Sequence, residues 1–497
     1  MYSTCTVSAP LTTVRLTVQC LQLLLTMWAG RVTINILPDD VLLHIFHSDR
    51  MTYLGGLEDA DPVSWRWQRF VHVCRRWRII VFASPNFLDL RLVCLPWTRV
   101  ELTGIWPPLP IVIRNMVDLP MPEDYDFEAA IMHHNRVCEI HLLNLTSSQL
   151  KRLAAAMEKN FPALIHLKLD FDIYDSRPAP ALPDRFLGGL AVRLESLRLH
   201  SITFPALPKL FLSATHLVRL CLRDIPHSGY FSPEVIAAGL AVLTNLESFT
   251  IGFGSPLSRP DQERRLPPPP TRTILPALAD FEFHGSCEYL EDLVARIDVH
   301  LLDFILISFF HQLVFHIPQL AEFMRRTAMV EVPYEAYMNF NYSDVQLEYL
   351  PHTRIIDEKF RLMISCRKLD WQLSSLAQVL TSFFPSIHVV EHLYIYGPQY
   401  LLSQWEDDIE NVQWLEIFHQ FTSVKSLHVP KEFAQCIAFA LQEFVGERVA
   451  DVLLPALETL FLEEIKPSGP VQEAIEQFVA TRQLLGHPVV VSRWDRA

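Results

Sequence analysis

Three segments with one shared pattern decide the fold: LIHLKL at residues 164–169, LESLRL at 194–199 and LVRLCL at 217–222. In each segment leucine stands at the first, fourth and sixth positions. Alternation of apolar with other side chains predicts a β-strand that buries one face. Because the pattern returns at short intervals, the sequence predicts a stack of similar units, each built around one strand.

The same pattern extends over most of the chain. Within each run, the central apolar residues of successive copies are 23 to 34 positions apart, which is the length of one strand-plus-helix unit. Residues 336–340 and 360–364 are fainter strand candidates. The further copies are Val137-Ile140-Leu142, Leu246-Phe249-Ile251, Leu278-Phe281-Phe283, Leu301-Phe304-Leu306, Val390-Leu393-Ile395, Val424-Leu427-Val429 and Leu457-Leu460-Leu462.

Stretches between these strands have helical character, so each unit is predicted to be a strand followed by a helix in an α/β fold. A last helix opens at Pro470 and closes at Gly486, where it would cap the open end of the stack. The other predicted helices cover residues 147–160, 233–243, 288–297, 319–326, 371–383 and 431–446.

Composition excludes several classes of protein. A chain of 497 residues exceeds one ordinary core, and 50% apolar residues rule out a disordered chain. The 42 basic and 56 acidic residues give a net charge of −14 without any basic tract, so neither a nucleic acid nor an anionic membrane is an expected partner. Only 15 glycines disfavour phosphate-binding loops.

The nine cysteines are scattered and never spaced as C-x-x-C, which is typical of a reduced intracellular protein. We therefore expect a cytoplasmic or nuclear location. Residues 1–31 form a leader of uncertain role, since Arg15 interrupts its apolar stretch and no basic residue precedes it. The apolar run at residues 301–317 contains too many polar residues to span a membrane.

A helical module precedes the repeats. Asp39 and Asp40 open a helix with apolar residues at positions 41, 42, 45 and 46. A second helix of about four turns is predicted from the apolar residues at 70, 73, 74, 77, 80 and 81, with Ser84-Pro85 ending it.

The module resembles the F-box motif over residues 32–90. The resemblance rests on Leu37-Pro38, Ile45-Phe46, Val73-Cys74-Arg75-Arg76-Trp77 and Ser84-Pro85. The sequence departs from the motif in two places: residues 47–67 form a longer link than usual, and Leu88 stands where a tryptophan is common.

Membership of the F-box family would imply docking onto a Skp-type adaptor and, through that adaptor, onto a cullin. The alternative is that these residues are only the core of a helical cap. The residues to which the resemblance assigns adaptor binding or its support are Leu37, Pro38, Leu42, Ile45, Val73, Cys74 and Trp77.

The repeats of residues 91–497 resemble degenerate leucine-rich repeats, although the asparagine ladder of that family is missing. The resemblance implies an irregular solenoid, or horseshoe, with the capping helix at residues 470–486. The whole chain looks like a large group of F-box proteins from mushroom-forming fungi.

Side chains that alternate with the buried strand positions would line one face of the sheet. A face that mixes arginine, histidine, carboxylates and aromatic residues suits recognition of a protein target. An ordinary solvated sheet without a ligand is the alternative for any single residue. The candidate target-binding residues are His166, Lys168, Arg198, Arg219, Arg223, His284, Tyr394, Tyr396 and Phe461.

No motif in the sequence specifies catalysis or a cofactor. Cys138 and His141 differ in strand parity, which argues against a zinc site made with His133 and His134. The predicted function is therefore a non-catalytic receptor that brings a protein target to a ubiquitin ligase. The alternative is a protein-interaction scaffold with no role in ubiquitin transfer.

Overall fold

A computed structural model describes residues 36–51, 67–95, 108–115, 127–172, 174–175, 180–261, 269, 271–312, 314–329, 333–351, 359–383, 386–397, 411–447, 453–463 and 469–495. The predicted leader at residues 1–31 and most of the predicted link at 47–67 lie outside these ranges. The described part is a mixed α/β structure with thirteen helices. It divides into two compact units, Met1–Val93 with Glu101–Pro110, and Cys94–Val100 with Ile111–Ala497.

The first unit is helical. Its helices are Asp39–Met51, Trp67–Val73 and Arg75–Ala83, and strand β1, Leu92–Cys94, follows them. The ring of Phe46 stacks on that of Phe70 at 4.5 Å between centroids and meets Trp77 at 4.7 Å. Leu42 and Val81 are fully buried in the same core.

The prediction of one continuous second helix over residues 70–81 is wrong, because Cys74 divides it. The backbone of Cys74 is extended, with φ −159° and ψ 170°, and its sulfur accepts the amide hydrogen of Trp77 at 3.5 Å. Cys74 is thus the N-cap of the third helix. The apolar periodicity continues across the break, and for this reason the sequence pattern did not reveal it.

The second unit contains the other ten helices. Their apolar residues are mostly buried, as Leu150 and Leu153 are in the first long one. Thr146 and Gln149 begin that helix with a reciprocal capping box. The ten are Glu128–Ile131, Ser147–Ala156, Leu207–Phe211, Pro233–Leu240, Cys287–Val294, Pro318–Arg326, Leu369–Phe383, Asn411–Phe418, Ala434–Glu447 and Pro470–Leu484.

A strand forms at each copy of the six-residue pattern and at both fainter candidates, and further strands form elsewhere. They are β2 Ile111–Arg114, β3 Val137–Leu145, β4 His166–Phe171, β5 Ser196–His200, β6 Arg219–Ile225, β7 Ser248–Phe253, β8 Thr273–Ile274, β9 Asp280–Gly285, β10 Ile297–Asp298, β11 Leu301–Leu302, β12 Phe304–Phe309, β13 Ala328–Met329, β14 Pro333–Phe340, β15 Asp344–Pro351, β16 Phe360–Ser365, β17 His392–Tyr396, β18 Ser426–Val429, β19 Thr459–Leu462 and β20 Val490–Arg493. Strands β1, β2, β8, β10, β11, β13, β15 and β20 were not predicted.

One large sheet joins most of these strands in the order β2-β3-β4-β5-β6-β7-β9-β12-β16-β15-β14-β17-β18-β19-β20. Neighbouring strands are parallel from β2 to β16 and again from β14 to β20. Strand β15 alone runs antiparallel to both of its neighbours. The chain therefore places β14, β15 and β16 in reverse order within the sheet.

The predicted register of β12 is wrong by one residue. The sequence pattern placed Phe304 and Leu306 in the core, but both are half-buried, whereas Ile305 and Ile307 are fully buried. Ile305 pairs with Phe281, the core residue of β9. Since every residue from Phe304 to Ile307 is apolar, packing against β9 decides which alternate set faces inward.

Helices of neighbouring units are tied together at their ends. Glu291, in helix Cys287–Val294, is buried and accepts the backbone amide hydrogens of Gln319 at 2.9 Å and Leu320 at 2.7 Å. Those amides belong to the first turn of helix Pro318–Arg326, where a negative charge is favourable. Arg482 is likewise buried and donates to the carbonyls of Leu453 and Leu457.

Candidate functional site

The large sheet buries every second side chain of its strands and carries the alternate side chains on the other surface, here called the polar face. In β4, Leu167 and Leu169 are buried while His166 and Lys168 are half-buried. The nine target-binding candidates all lie on this face and are half-buried or exposed: His166, Lys168, Arg198, Arg219, Arg223, His284, Tyr394, Tyr396 and Phe461.

Cross-strand pairing brings basic side chains into line at one end of the polar face. Arg114 pairs with His141, His141 with Lys168, and Lys168 with Arg198, so that four consecutive strands contribute one residue each. Adjacent strands lie about 4.8 Å apart, which keeps these side chains within reach of one another. Arg114, His141, Lys168 and Arg198 are called the basic row below.

Carboxylates next to the basic row are already engaged. Glu139 is buried and pairs with Arg114 at 2.9 Å. On β6, the Nη2 atom of Arg223 lies 2.6 Å from a carboxylate oxygen of Glu282 on β9. Arg198 and Arg219, by contrast, form no ion pair with any residue that the structure describes. Arg219 nevertheless acts electrostatically on Asp280 of β9, so of the two only Arg198 has no carboxylate assigned to it among the described residues.

His200, next to the basic row on β5, lies between two carboxylates. Its Nδ1 is 2.7 Å from Asp170 and its Nε2 is 2.6 Å from Asp224. These two hydrogen bonds raise the pKa of His200 to about 9, so the imidazole is charged at neutral pH. Asp224 is held with φ at 51°, a left-handed conformation that aspartate tolerates better than most residues.

His141 behaves in the opposite way. Burial, followed by repulsion from Arg114, His166, Lys168 and Arg198, lowers the pKa of His141 to about 3. The imidazole is therefore neutral at physiological pH, and the positive charge of the basic row belongs to its lysine and arginines.

The far end of the polar face carries a stack of aromatic rings. Tyr337 stacks on Tyr394 at 4.7 Å between centroids, Tyr394 on His428 at 4.2 Å, and His428 on Phe461 at 4.3 Å. Their planes are inclined by 9°, 18° and 3°, so the four rings form a nearly parallel series. Tyr337, Tyr394, His428 and Phe461 are called the aromatic row below.

Hydrogen-bonded groups flank the aromatic row. His392 lies 2.5 Å from the hydroxyl of Ser426 through Nδ1 and 2.8 Å from that of Tyr334 through Nε2. On the other side, Tyr396 meets the ring of Trp494 edge-on at 5.5 Å. Aromatic side chains thus occupy three successive positions of β17 on the polar face, at His392, Tyr394 and Tyr396.

His428 is the most enclosed member of the aromatic row. It is 8% exposed, and its Nδ1 has no hydrogen-bond partner among the described residues. Burial, with a smaller contribution from His392, lowers the pKa of His428 to about 4. The ring is therefore neutral and functions as an aromatic packing element at neutral pH.

His284 occupies the middle of the polar face. Its Nδ1 lies 2.8 Å from the hydroxyl of Ser308, and its ring meets that of Phe310 at 4.7 Å. Its strand neighbour is Gly252, where an added Cβ would come within 3.2 Å of the Cβ of His284. Burial lowers the pKa of His284, so this residue adds no positive charge at neutral pH.

Sequence reasoning missed three aromatic residues of this face: Tyr337, His428 and Trp494. His428 stands between Leu427 and Val429, so the alternation rule used for the other candidates would have included it. Tyr337 lies in a strand candidate whose face had not been assigned. Trp494 follows β20, a strand that the six-residue pattern did not predict.

The adaptor-binding candidates of the helical unit are exposed to different degrees. Pro38 is exposed and Val73 is 57% exposed. Leu42 is fully buried, which assigns its side chain to the core of the unit. The remaining candidates, Leu37, Ile45, Cys74 and Trp77, are half-buried.

Arg76 fastens the first helix of this unit to the third. Its Nη2 donates to the carbonyl oxygen of Leu37 at 2.6 Å and to the carboxylate of Asp39 at 2.6 Å. The bonds fix the Leu37-Pro38 segment beside the helix that carries Arg76. Ile79, one turn further along that helix, is 58% exposed.

The histidine and cysteine group near β3 is dispersed. Cys138 is buried and donates its thiol hydrogen to the carbonyl of Ile111, whereas His141 lies on the polar face. His134 lies 2.7 Å from the carbonyl of Asn160 through Nδ1. Within the described ranges, no three histidine, cysteine or acidic residues converge as metal ligands would.

None of the helices described has both the length and the apolar character needed to cross a bilayer.

Comparison of the chain with models of known protein families gives no match, and no curated protein matches it significantly.

Proposed function

We propose that this protein is a non-catalytic substrate receptor of an SCF-type cullin–RING ubiquitin ligase. The helical unit would dock onto a Skp-type adaptor, and the polar face would bind a protein target. The observation that carries the proposal is the exposure of Pro38 and Val73, two residues of the F-box-like motif, on a unit whose core is filled by other side chains.

The pattern of exposure in the helical unit supports adaptor docking. Ile36, Val73 and Ile79 are 66%, 57% and 58% exposed, although each could contribute to a core. Exposed apolar side chains on a small helical unit are a common feature of surfaces that a partner covers. Leu42 and Phe46 are buried and would support the docking surface from the core of the unit.

The second unit supports the receptor assignment through its repeated construction. We propose that its strand-plus-helix units form an irregular leucine-rich-type solenoid, since parallel strands from β2 to β12 follow one another in chain order. Such an array presents one continuous face made of many strands. Charged and aromatic side chains on that face are the types that anchor protein interfaces.

Receptor activity needs no bond-making chemistry in this chain. A receptor holds its target close to the transferring machinery and thereby raises the local concentration of the target. The helical unit would then bind the adaptor and the polar face the target, so that a substitution in one can abolish its binding without affecting the other.

Adaptor docking can be tested with Val73→Asp. The tagged full chain would be co-expressed with a Skp-type adaptor, and adaptor recovery measured after purification. We expect a loss of at least tenfold in recovery, because an aspartate would place an unpaired charge in an apolar interface. Val412→Asp, at a valine 51% exposed on a helix of the second unit, is the matched control and should leave recovery unchanged.

Unchanged adaptor recovery with Val73→Asp, in a chain that keeps its wild-type circular dichroism, would show that the docking assignment is wrong. A Leu37→Ala, Pro38→Ala double variant gives a second, independent reading of the same surface. Recovery of adaptor without any cullin, and without change in the ubiquitination of bound proteins, would favour the alternative of an interaction scaffold.

A further inference from the structure

Strand β20 ends the large sheet and is open along its outer side. It pairs with β19 and, within the part of the chain that the structure describes, with no other strand. The amides of Val490 and Trp494 donate to the carbonyls of Glu458 and Leu462 on the β19 side. Because backbone groups of a strand point alternately to its two sides, those of Arg493 point outward. The edge of β20 thus offers hydrogen-bonding groups to a further strand.

The side chains of β20 and of the residues after it leave this edge accessible. Val490 is 61% exposed, and the side chains of Arg493 and Asp495 are 78% and 86% exposed. Trp494 leans back over the sheet, because its indole contacts Tyr396 of β17 and His428 of β18 edge-on. A second polypeptide can therefore approach the outer backbone groups of β20.

The charges at this edge have opposite signs and lie two residues apart. Nε of Arg493 is 3.1 Å from a carboxylate oxygen of Asp495. Sheet edges are often protected by charged side chains, especially lysine, which repel a second copy. A cation followed by an anion gives no such protection, because two antiparallel copies can place the arginine of each opposite the aspartate of the other.

We infer that β20 pairs in antiparallel fashion with β20 of a second copy of this chain, with the two-fold axis at Trp494. In this register Arg493 faces Asp495 of the second copy, and Asp495 faces the second copy's Arg493, so that four charges alternate in sign. This self-complementarity favours a second copy over an unrelated peptide. The inference goes beyond the proposed function and does not depend on it.

The position of Trp494 permits this close approach. Residues on the two-fold axis form a pair without mutual backbone hydrogen bonds, with Cα atoms about 4.5 Å apart. Each indole lies over its own β17 and β18, which leaves space between the two strands. Pairing over a few residues buries less than the about 800 Å² per partner of a stable complex, so we expect a reversible dimer with a Kd in about the micromolar range.

Sedimentation velocity of the purified full chain over a wide range of concentration tests the inference. Arg493→Asp and Asp495→Arg should each weaken the dimer by at least about tenfold, because like charges then face one another. An equal mixture of the two variants should dimerise about as well as the wild type, because every facing pair is again of opposite sign. The double variant Arg493→Asp, Asp495→Arg should also dimerise, since it exchanges the two charges within each copy.

Glu473→Arg is the matched control for Asp495→Arg. It makes the same change in net charge at an exposed residue in the first turn of helix Pro470–Leu484, and it should change the Kd of the dimer by less than about twofold. All variants should keep the wild-type melting temperature, so that loss of fold does not imitate loss of pairing. Adaptor recovery should be unchanged in each, which separates this inference from the docking proposal.

Four results would overturn the inference. A wild-type chain that stays monomeric at every concentration would do so, as would a dimer that survives both single variants. Failure of the mixture to dimerise would show that the register is wrong. Assemblies larger than a dimer, or tighter binding of a labelled Thr-Lys repeat peptide to a monomeric chain, would assign the edge to a different occupant.

Discussion

The imidazole of His428 and the ring of Phe461 lie almost parallel, with centroids 4.3 Å apart and planes inclined by 3°. Tyr394 covers the other side of the imidazole at 4.2 Å. This sandwich excludes water from the imidazole and explains why the pKa of His428 falls to about 4. It leads to a prediction about acid stability.

Because the unfolded chain restores the ordinary pKa of about 6.5 to His428, it binds a proton between pH 6.5 and 4 while the folded chain does not. Stability is therefore retained above pH 6.5 and lost as the pH falls toward 4. We expect His428→Phe to reduce this acid loss by about 1 to 2 kcal/mol at pH 5 relative to pH 7. Urea unfolding at both pH values measures it, and an unchanged pH dependence would refute the assignment.

His200 should have the opposite pH dependence. Its raised pKa of about 9 means that its stabilising contribution is present below pH 6.5 and lost as the pH rises through 9. After allowance for solvent screening, His200→Gln should cost about 1 kcal/mol at pH 6 and little at pH 10. His216→Gln, at an exposed histidine, is the control. An equal loss of stability for His200→Gln at both pH values would contradict a charged His200 held between Asp170 and Asp224.

The cap that Glu291 provides for helix Pro318–Arg326 should be a strong stabilising contact. Glu291→Ala removes a buried acceptor of two backbone amides and should reduce the free energy of unfolding by about 2 to 3 kcal/mol. Glu473→Ala, in the exposed first turn of helix Pro470–Leu484, should cost less than about 1 kcal/mol. Comparable losses for both variants in urea titrations would mean that Glu291 contributes only its charge.

Leu42 and Val73 should separate fold from docking in the helical unit. Leu42→Ala creates a cavity beneath Phe46 and should cost about 2 to 5 kcal/mol, because Leu42 is fully buried. Val73→Ala should change stability by less than about 0.5 kcal/mol, since Val73 is 57% exposed. Hydrogen exchange of the Asp39–Met51 amides measures the change in stability caused by each of the two substitutions. Equal protection in the two variants would contradict the described core.

Strand positions and the composition of the polar face could be predicted from sequence because Leu167, Leu197 and Leu220 alternate with polar or small residues. That alternation disappears in β12, where consecutive apolar residues fit either register. Pairing with the buried residues of β9 on one side and of β16 on the other selects Ile305 and Ile307 for the core. A local pattern cannot contain this information, since the choice depends on a neighbouring strand.

Strand β15 shows a second limit of the sequence pattern. Val345, Leu347 and Tyr349 alternate with polar residues and are buried, so the strand itself has a recognisable signal. Its antiparallel direction and its place between β14 and β16 depend on pairing over many residues. The aromatic row has the same origin, because Tyr337 meets Tyr394 only through the pairing of β14 with β17.

The reversed order of β14, β15 and β16 has a consequence for how the chain acquires its structure during synthesis. From β2 to β12, each large-sheet strand that leaves the ribosome can add directly to the edge left by the strand before it. The edge of β12 then has to wait for β16, the last strand of the meander, before growth can continue. Nascent chains halted between β12 and β16 therefore expose an unpaired hydrophobic edge, and that stretch of translation is where chaperone protection would matter most.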